Sequence, residues 1–292
     1  MKRSALVIAL SGLLLSPLAM AKNLDVVASF SVLGDMVSQI GGEHVTVTDL
    51  VPPNGDPHEF EPSPKDSKTL ASANVVFVSG LGLEGWMNRL IKASGYKGPI
   101  VTASTGIHRL KMDEDGKTVT DPHAWNSMGN GIVYAHNIID ALVKADPQNA
   151  DYYRQHGESY VQQLQKLDDY AKKTFASIPK EKRKVLTSHD AFGYFSAAYG
   201  VTFLAPMGYS TESEASSQTV AKLITQIKQE HVKSYFIENQ TDPRLVKQIA
   251  NASGAKPGGE LFPEALTDSN GPAPTYTAAF KHNVDTIAAS ME

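Results

Sequence analysis

Short apolar runs alternate with helix-patterned stretches at both ends of this 292-residue chain, and that alternation restricts the fold more than any other feature. The runs at 24–29, 45–51, 75–79 and 99–102 read as short strands. Helical spacing fills 32–40, and an amphipathic stretch carries Trp86, Leu90 and Ile91. After residue 182 the pattern resumes, with strands at 184–188, 201–205 and 233–237. Helices at 217–230 and 243–252 separate them; the first lines up Val220, Leu223, Ile224 and Ile227, and the second has Asp242 as N-cap, Pro243 at its first position and Gly254 as its stop. Strands spaced by helices predict parallel sheets covered on both faces.

The middle of the chain differs. A helix over 132–144 ends at Asp146-Pro147, and 148–178 is a polar stretch with Val161, Leu164, Leu167, Ala171, Phe175 and Ile178 at spacings of three and four. About 30 residues at ~1.5 Å each make a rod of roughly 45 Å, long enough to cross from one lobe to another. The competing expectation is two surface helices broken at Gly157. The predicted class is therefore α/β, with two lobes, each a parallel sheet flanked by helices, joined by one long helix. The expected divisions are a signal peptide at 1–21, an N-terminal lobe at 22–147, a linking helix at 148–179 and a C-terminal lobe at 180–292.

Lys2 and Arg3, the apolar stretch 5–15 and Ala19-Met20-Ala21 have the layout of a secretory signal. Net charge is −4 overall and −6 once Lys2 and Arg3 are removed, which argues against nucleic acid as a partner. The chain has no cysteine. An exported chain of this composition has no disulfides, and a metal site in it must use His, Asp and Glu. The same absence leads to the expectation of a periplasmic protein that is not lipid-anchored.

The tripeptide Asp-Pro-His occurs twice, at Asp56-Pro57-His58 and Asp121-Pro122-His123, each with an aromatic residue close behind, Phe60 and Trp125. Proline restricts itself and the residue before it, so the histidine that follows has little freedom. That suits a metal ligand, although Asp-Pro is also a common turn starter. His58 lies beyond the strand at 45–51, His123 beyond 99–102, and His189 directly after 184–188. Parallel sheets bind ligands at the carboxyl ends of their strands. His44, His108, His136, His156, His231 and His282 fall in polar or helix-surface contexts and are expected to be solvated, His108 least securely. Three histidines call for a fourth, anionic donor, and 262–268, with Glu264 and Asp268, is the candidate segment.

These residues resemble the solute-binding proteins of metal-importing ABC transporters, the zinc/manganese (cluster A-I) class. The resemblance covers the chain after residue 21. It rests on Asp-Pro-His-Glu-Phe-Glu-Pro-Ser at 56–63, Ala-Asn-Val-Val-Phe-Val-Ser-Gly-Leu-Gly-Leu-Glu at 73–84, Asp-Pro-His-Ala-Trp at 121–125, Ser-His-Asp-Ala-Phe-Gly-Tyr-Phe at 188–195, Thr275-Tyr276 and His282-Asn283. It implies two lobes on one rigid helix with the metal between them. His58 and His123 would be ligands from the first lobe and His189 from the second. The family's fourth ligand, counted back from Thr275-Tyr276, falls on Glu264, with Asp268 the alternative. Asn126 to Asn130 depart from the family's usual turn after Trp125.

Three imidazoles and a carboxylate favour zinc over manganese or iron, the alternatives. The short acidic segment 111–117 lacks the histidine-rich loop of many zinc importers. The expected role is non-enzymatic: a monomer captures the ion and delivers it to a membrane permease of the ABC type. Because histidines bind metal only when neutral, affinity is expected to fall as pH drops through about 6.5. The rival readings are a zinc-dependent hydrolase and a surface adhesin or metal chaperone; no H-E-x-x-H motif is present.

Overall fold

The computed structural model describes residues 23–114, 117–211 and 215–291. The expected signal segment lies outside them. Two four-stranded parallel sheets form the framework. The first contains β1 (Leu24–Phe30), β2 (Val45–Val51), β3 (Val75–Val78) and β4 (Ile100–Thr102) in the order β2-β1-β3-β4. Helices α1 (Ser31–Gly41), α2 (Pro64–Ser72) and α3 (Met87–Ser94) connect these strands. All five residues from Val26 to Phe30 are buried, as expected for a strand covered on both faces. Ser63 and Asp66 form a reciprocal capping box at the start of α2, with Pro64 in the first turn.

The stretch before His123 is more regular than its polar sequence indicates. β5 (Lys111–Glu114) and β6 (Lys117–Thr120) form an antiparallel pair. Then come α4 (Met128–Ala145) and α5 (Ala150–Ala176). The 27 residues of α5 are continuous through Gly157, so the broken-helix alternative is set aside. Gly157 serves contact: a Cβ there would lie 2.3 Å from Ile139 of α4. The two helices pack tightly because the glycine has no side chain.

The second sheet contains β7 (Lys184–Leu186), β8 (Thr202–Leu204), β9 (Ser234–Glu238) and β10 (Lys256–Leu261) in the order β10-β9-β7-β8. It is flanked by α6 (Gly193–Tyr199), α7 (Ser217–Gln229), α8 (Arg244–Ser253) and α9 (Tyr276–Ala289). The glycine-rich run at 254–259 overlaps β10. Pro257 is tolerated because β10 is an edge strand, and the register shifts between Pro257 and Gly259. A Cβ at Gly258 would meet the Phe236 ring at 2.5 Å.

The long helix α5 packs on α1 and α4 of the first lobe and on α6 and α9 of the second. One apolar cluster runs through both lobes, from Phe30, Phe77 and Trp125 to Phe195, Phe236 and Phe280. A smaller one, including Leu186, Leu223, Ile227 and Ile249, lies beneath α7 and α8. Among the described residues no helix is long and apolar enough to cross a membrane.

Candidate metal centre

Four chain segments, each just beyond a strand or hairpin end, bring their side chains to one point. His58 follows β2, His123 follows the β5–β6 hairpin, His189 follows β7 and Glu264 follows β10. The ligand atoms of these four residues lie within 4.8 Å of one another, and all four residues are buried. Glu264 Oε1 sits at the centre, 2.8 Å from His58 Nε2, 2.7 Å from His123 Nε2 and 3.2 Å from His189 Nε2. The Nε2 atoms of His58 and His123 are 3.2 Å apart. His189 Nε2 is buried and makes no hydrogen bond, despite its approach to Glu264. Three imidazole nitrogens converging on one carboxylate oxygen, one of them an orphan, are a donor set for a transition-metal ion.

Three of the four donors are oriented from behind. Asp121 Oδ1 accepts the backbone N–H of His123 at 2.9 Å and lies 2.9 Å from its Nδ1. Gly193 lets α6 close on Asp121, since a Cβ there would be 2.3 Å from Oδ2. Glu238, buried at the end of β9, accepts from the backbone of Ser188 at 2.9 Å and of His189 at 3.3 Å. Its other oxygen is 2.5 Å from His189 Nδ1. A carboxylate on Nδ1 holds that proton and leaves Nε2 free to bind metal. Gln240 Nε2 donates to Glu264 Oε2 at 3.1 Å, which leaves Oε1 facing the histidines. Trp125 Nε1 donates to Pro263 O at 2.7 Å and fixes the backbone beside Glu264.

Burial alone would lower the pKa of His123, but the Asp121 and Glu264 carboxylates outweigh it and lift the imidazole to about 9. Burial likewise opposes charge on His189, yet Glu238 and Glu264 hold it well above the ordinary histidine value. Burial would raise Glu264, and the surrounding histidines instead hold it well below the carboxylate range. Without metal, His123 and His189 thus hold protons beside the Glu264 carboxylate, and an arriving cation displaces them. The pH window expected from unperturbed histidine moves upward accordingly.

All three histidines proposed from sequence, and Glu264, join the cluster. Asp268 is exposed and outside it. Of the other histidines, His108, His136, His156 and His231 are exposed, while His44 and His282 are half-buried. His282 hydrogen-bonds Glu260 O at 3.0 Å. Glu238 and Gln240 were missed; the signal that points to them is their place at the carboxyl end of β9, by the same rule that located His189 beyond β7. The atypical residues after Trp125 start α4 and tie it to the second lobe: Asn126 Nδ2 donates to Ala191 O at 3.0 Å, and Met128 N donates to Tyr199 Oη at 3.0 Å.

Comparisons with known proteins find relatives and structural neighbours that are named for metal binding or metal uptake. The family model described as "Zinc-uptake complex component A periplasmic" matches residues 26–290. The chain is 34% identical over 271 residues to the manganese-binding lipoprotein MntA of Halalkalibacterium halodurans, covering 92% of this chain and 89% of that one. It is 34% identical over 282 residues to the iron ABC transporter substrate-binding lipoprotein MtsA of Streptococcus pyogenes, covering 94% and 90%. The structure of the periplasmic zinc-binding protein TroA of Treponema pallidum superposes with a TM-score of 0.87 at 31% identity, covering 92% of this chain and 99% of that one. A manganese-bound periplasmic metal-binding protein (S38A mutant) from Candidatus Liberibacter asiaticus gives a TM-score of 0.85 at 29% identity, covering 92% and 99%. MntA and MtsA are named lipoproteins, which overturns the expectation of a chain that is not lipid-anchored. The missing cysteine is a fact of composition and does not establish how the chain is held in the cell.

Proposed function

This chain belongs to the zinc-uptake component A family, as a metal-binding substrate-binding protein of an ABC transporter, and we propose that its cargo is zinc. The proposed ligands are His58, His123, His189 and Glu264. The observation that carries this is the convergence of three Nε2 atoms and one carboxylate oxygen within 4.8 Å in a buried centre. Three nitrogens and one oxygen suit zinc, whereas manganese favours more oxygen. Four protein donors fill a tetrahedron; a hydrolytic zinc keeps one position open for water. That supports carriage of the ion over chemistry on it.

The lobes are proposed to span 22–147 and 180–292, with 148–179 as the link. All four donors come from one chain, which supports action as a monomer. In the proposed cycle the ion displaces protons from the histidines, the closed lobes are recognised by a membrane permease, and opening of the lobes releases the ion. Manganese or iron is the second reading, favoured by the names of MntA and MtsA. Competitive titration of metal-stripped protein with zinc, manganese and ferrous iron tests the choice. Zinc bound at one equivalent and displacing the other two supports the proposal. Preference for manganese or iron replaces the ion and keeps the site. Failure of all three to bind rejects the site.

A further inference from the structure

The two Asp-Pro-His segments begin alike and end differently. In each, the aspartate Oδ1 accepts the backbone N–H of the histidine two residues on, at 2.8 Å for His58 and 2.9 Å for His123. Asp121 also uses Oδ1 for the imidazole of its own histidine. Asp56 instead uses its second oxygen across the cleft, accepting from Thr211 Oγ1 at 2.7 Å. Thr211 follows β8 in the second lobe. The strap leading to it runs beside His189: Met207 pairs with His189 in a parallel bridge, and Asp190 N donates to Gly208 O at 3.0 Å. Tyr209, on the same strap, places its ring 6.2 Å from that of His58.

The surroundings of the four donors are also unequal. Every residue of 121–128, 185–189 and 261–267 is buried. In 52–59, by contrast, Pro52, Asn54 and Glu59 are exposed. Cavities of ≈ 640 Å³ and ≈ 610 Å³ flank this segment, the first lined by His58 and Tyr209 and the second by Asp56 and Thr211. Segments with few buried contacts open at the lowest free energy. His58 is therefore the donor whose position depends most on side-chain ties.

We propose that Asp56 is a positioning residue that sets how long the metal is held. Through Thr211 it ties His58 to the strap along His189, so His58 cannot swing outward without breaking a bond to the opposite lobe. Asp121 has no such duty, because its segment is fixed by burial. The inference rests on the reading of the four residues as metal ligands.

The test is the rate of zinc release from the loaded full-length chain into excess chelator. Thr211→Val removes the hydroxyl and keeps the shape, and it is expected to speed release about tenfold, the range for a bond to a charged acceptor. Thr211→Ser restores the hydroxyl and is expected to restore the slow rate. In a His58→Ala background, Thr211→Val is expected to add nothing, because Thr211 acts through His58. An unchanged rate in Thr211→Val overturns the inference. So does a Thr211→Ser rate as fast as that of Thr211→Val, or an equal acceleration with and without His58. Zinc that does not bind the unaltered chain is a different failure, that of the ligand assignment itself.

Discussion

Replacing Glu238 by glutamine tests whether the residues behind the histidines determine metal affinity. The change keeps volume and removes one charge. Two of the contacts of Glu238 are to the backbone N–H groups of Ser188 and His189 through Oε1, and a glutamine carbonyl preserves both. The third, 2.5 Å from Oε2 to His189 Nδ1, does not survive. The amide –NH2 is a donor, so Nδ1 must become the acceptor and the proton moves to Nε2, the atom aimed at the metal. Binding then requires the less favourable tautomer. Loss of such an outer carboxylate weakens metal binding about 10–100-fold, or about 1.4–2.8 kcal/mol. The assay is competitive zinc titration against a chromophoric chelator at neutral pH, with far-ultraviolet circular dichroism to establish that the fold persists. A folded Glu238→Gln protein that binds zinc within about twofold of the parent refutes the reasoning, because it would mean that the tautomer of His189 is not set by Glu238.

Three further outcomes are expected. Glu264→Ala abolishes tight zinc binding while Asp268→Ala leaves it intact, in the same titration; the reverse would move the fourth ligand. Zinc affinity rises with pH between about 6.5 and 9, since the metal-free protein holds His123 protonated up to about 9 against an ordinary value of about 6.5. By the same linkage that proton stabilises the metal-free fold fully below about 6.5, and the contribution is lost as pH passes about 9. Calorimetric titration in buffers of different ionisation enthalpy should register proton release, and affinity independent of pH would contradict protonation of His123 and His189 in the metal-free protein. Asp49 is raised to about 7 by burial and by repulsion from Asp35. It favours the fold in its protonated form and loses that benefit as pH rises through about 7. Asp49→Asn should therefore raise the melting temperature more at pH 8 than at pH 5, and an equal shift at both would remove Asp49 as the cause.

The site was legible where residue chemistry and strand ends coincide. His58, His123 and His189 could be picked out because a histidine after a proline turn or a strand end is an uncommon placement. Glu264 required the family resemblance, since nothing local separates it from Asp268 except burial, which only the fold reveals. Glu238 and Gln240 were hidden because a strand-end carboxylate or amide is ordinary in sequence and acquires meaning only when His189 lies beside it. The β5–β6 hairpin escaped because its polar residues carry no apolar alternation. The long helix was read as one rod, and Gly157, the break of the competing reading, is instead the point where α4 meets α5, where packing overrides its weak helix propensity. The short apolar runs of the central strands β1 and β3 were read correctly because those strands are covered on both faces.

The shared core has one more consequence. Phe30 and Trp125 from one half and Phe195 and Phe280 from the other belong to a single apolar cluster, and α5 lies against both halves along its 27 residues. A cut in the connection at Asp146-Pro147 would therefore strip each fragment of part of its interior. Neither piece should be stable alone, but mixed together the two should reassemble by mutual complementation. The two lobes should therefore melt in a single transition, which calorimetry would register as one peak.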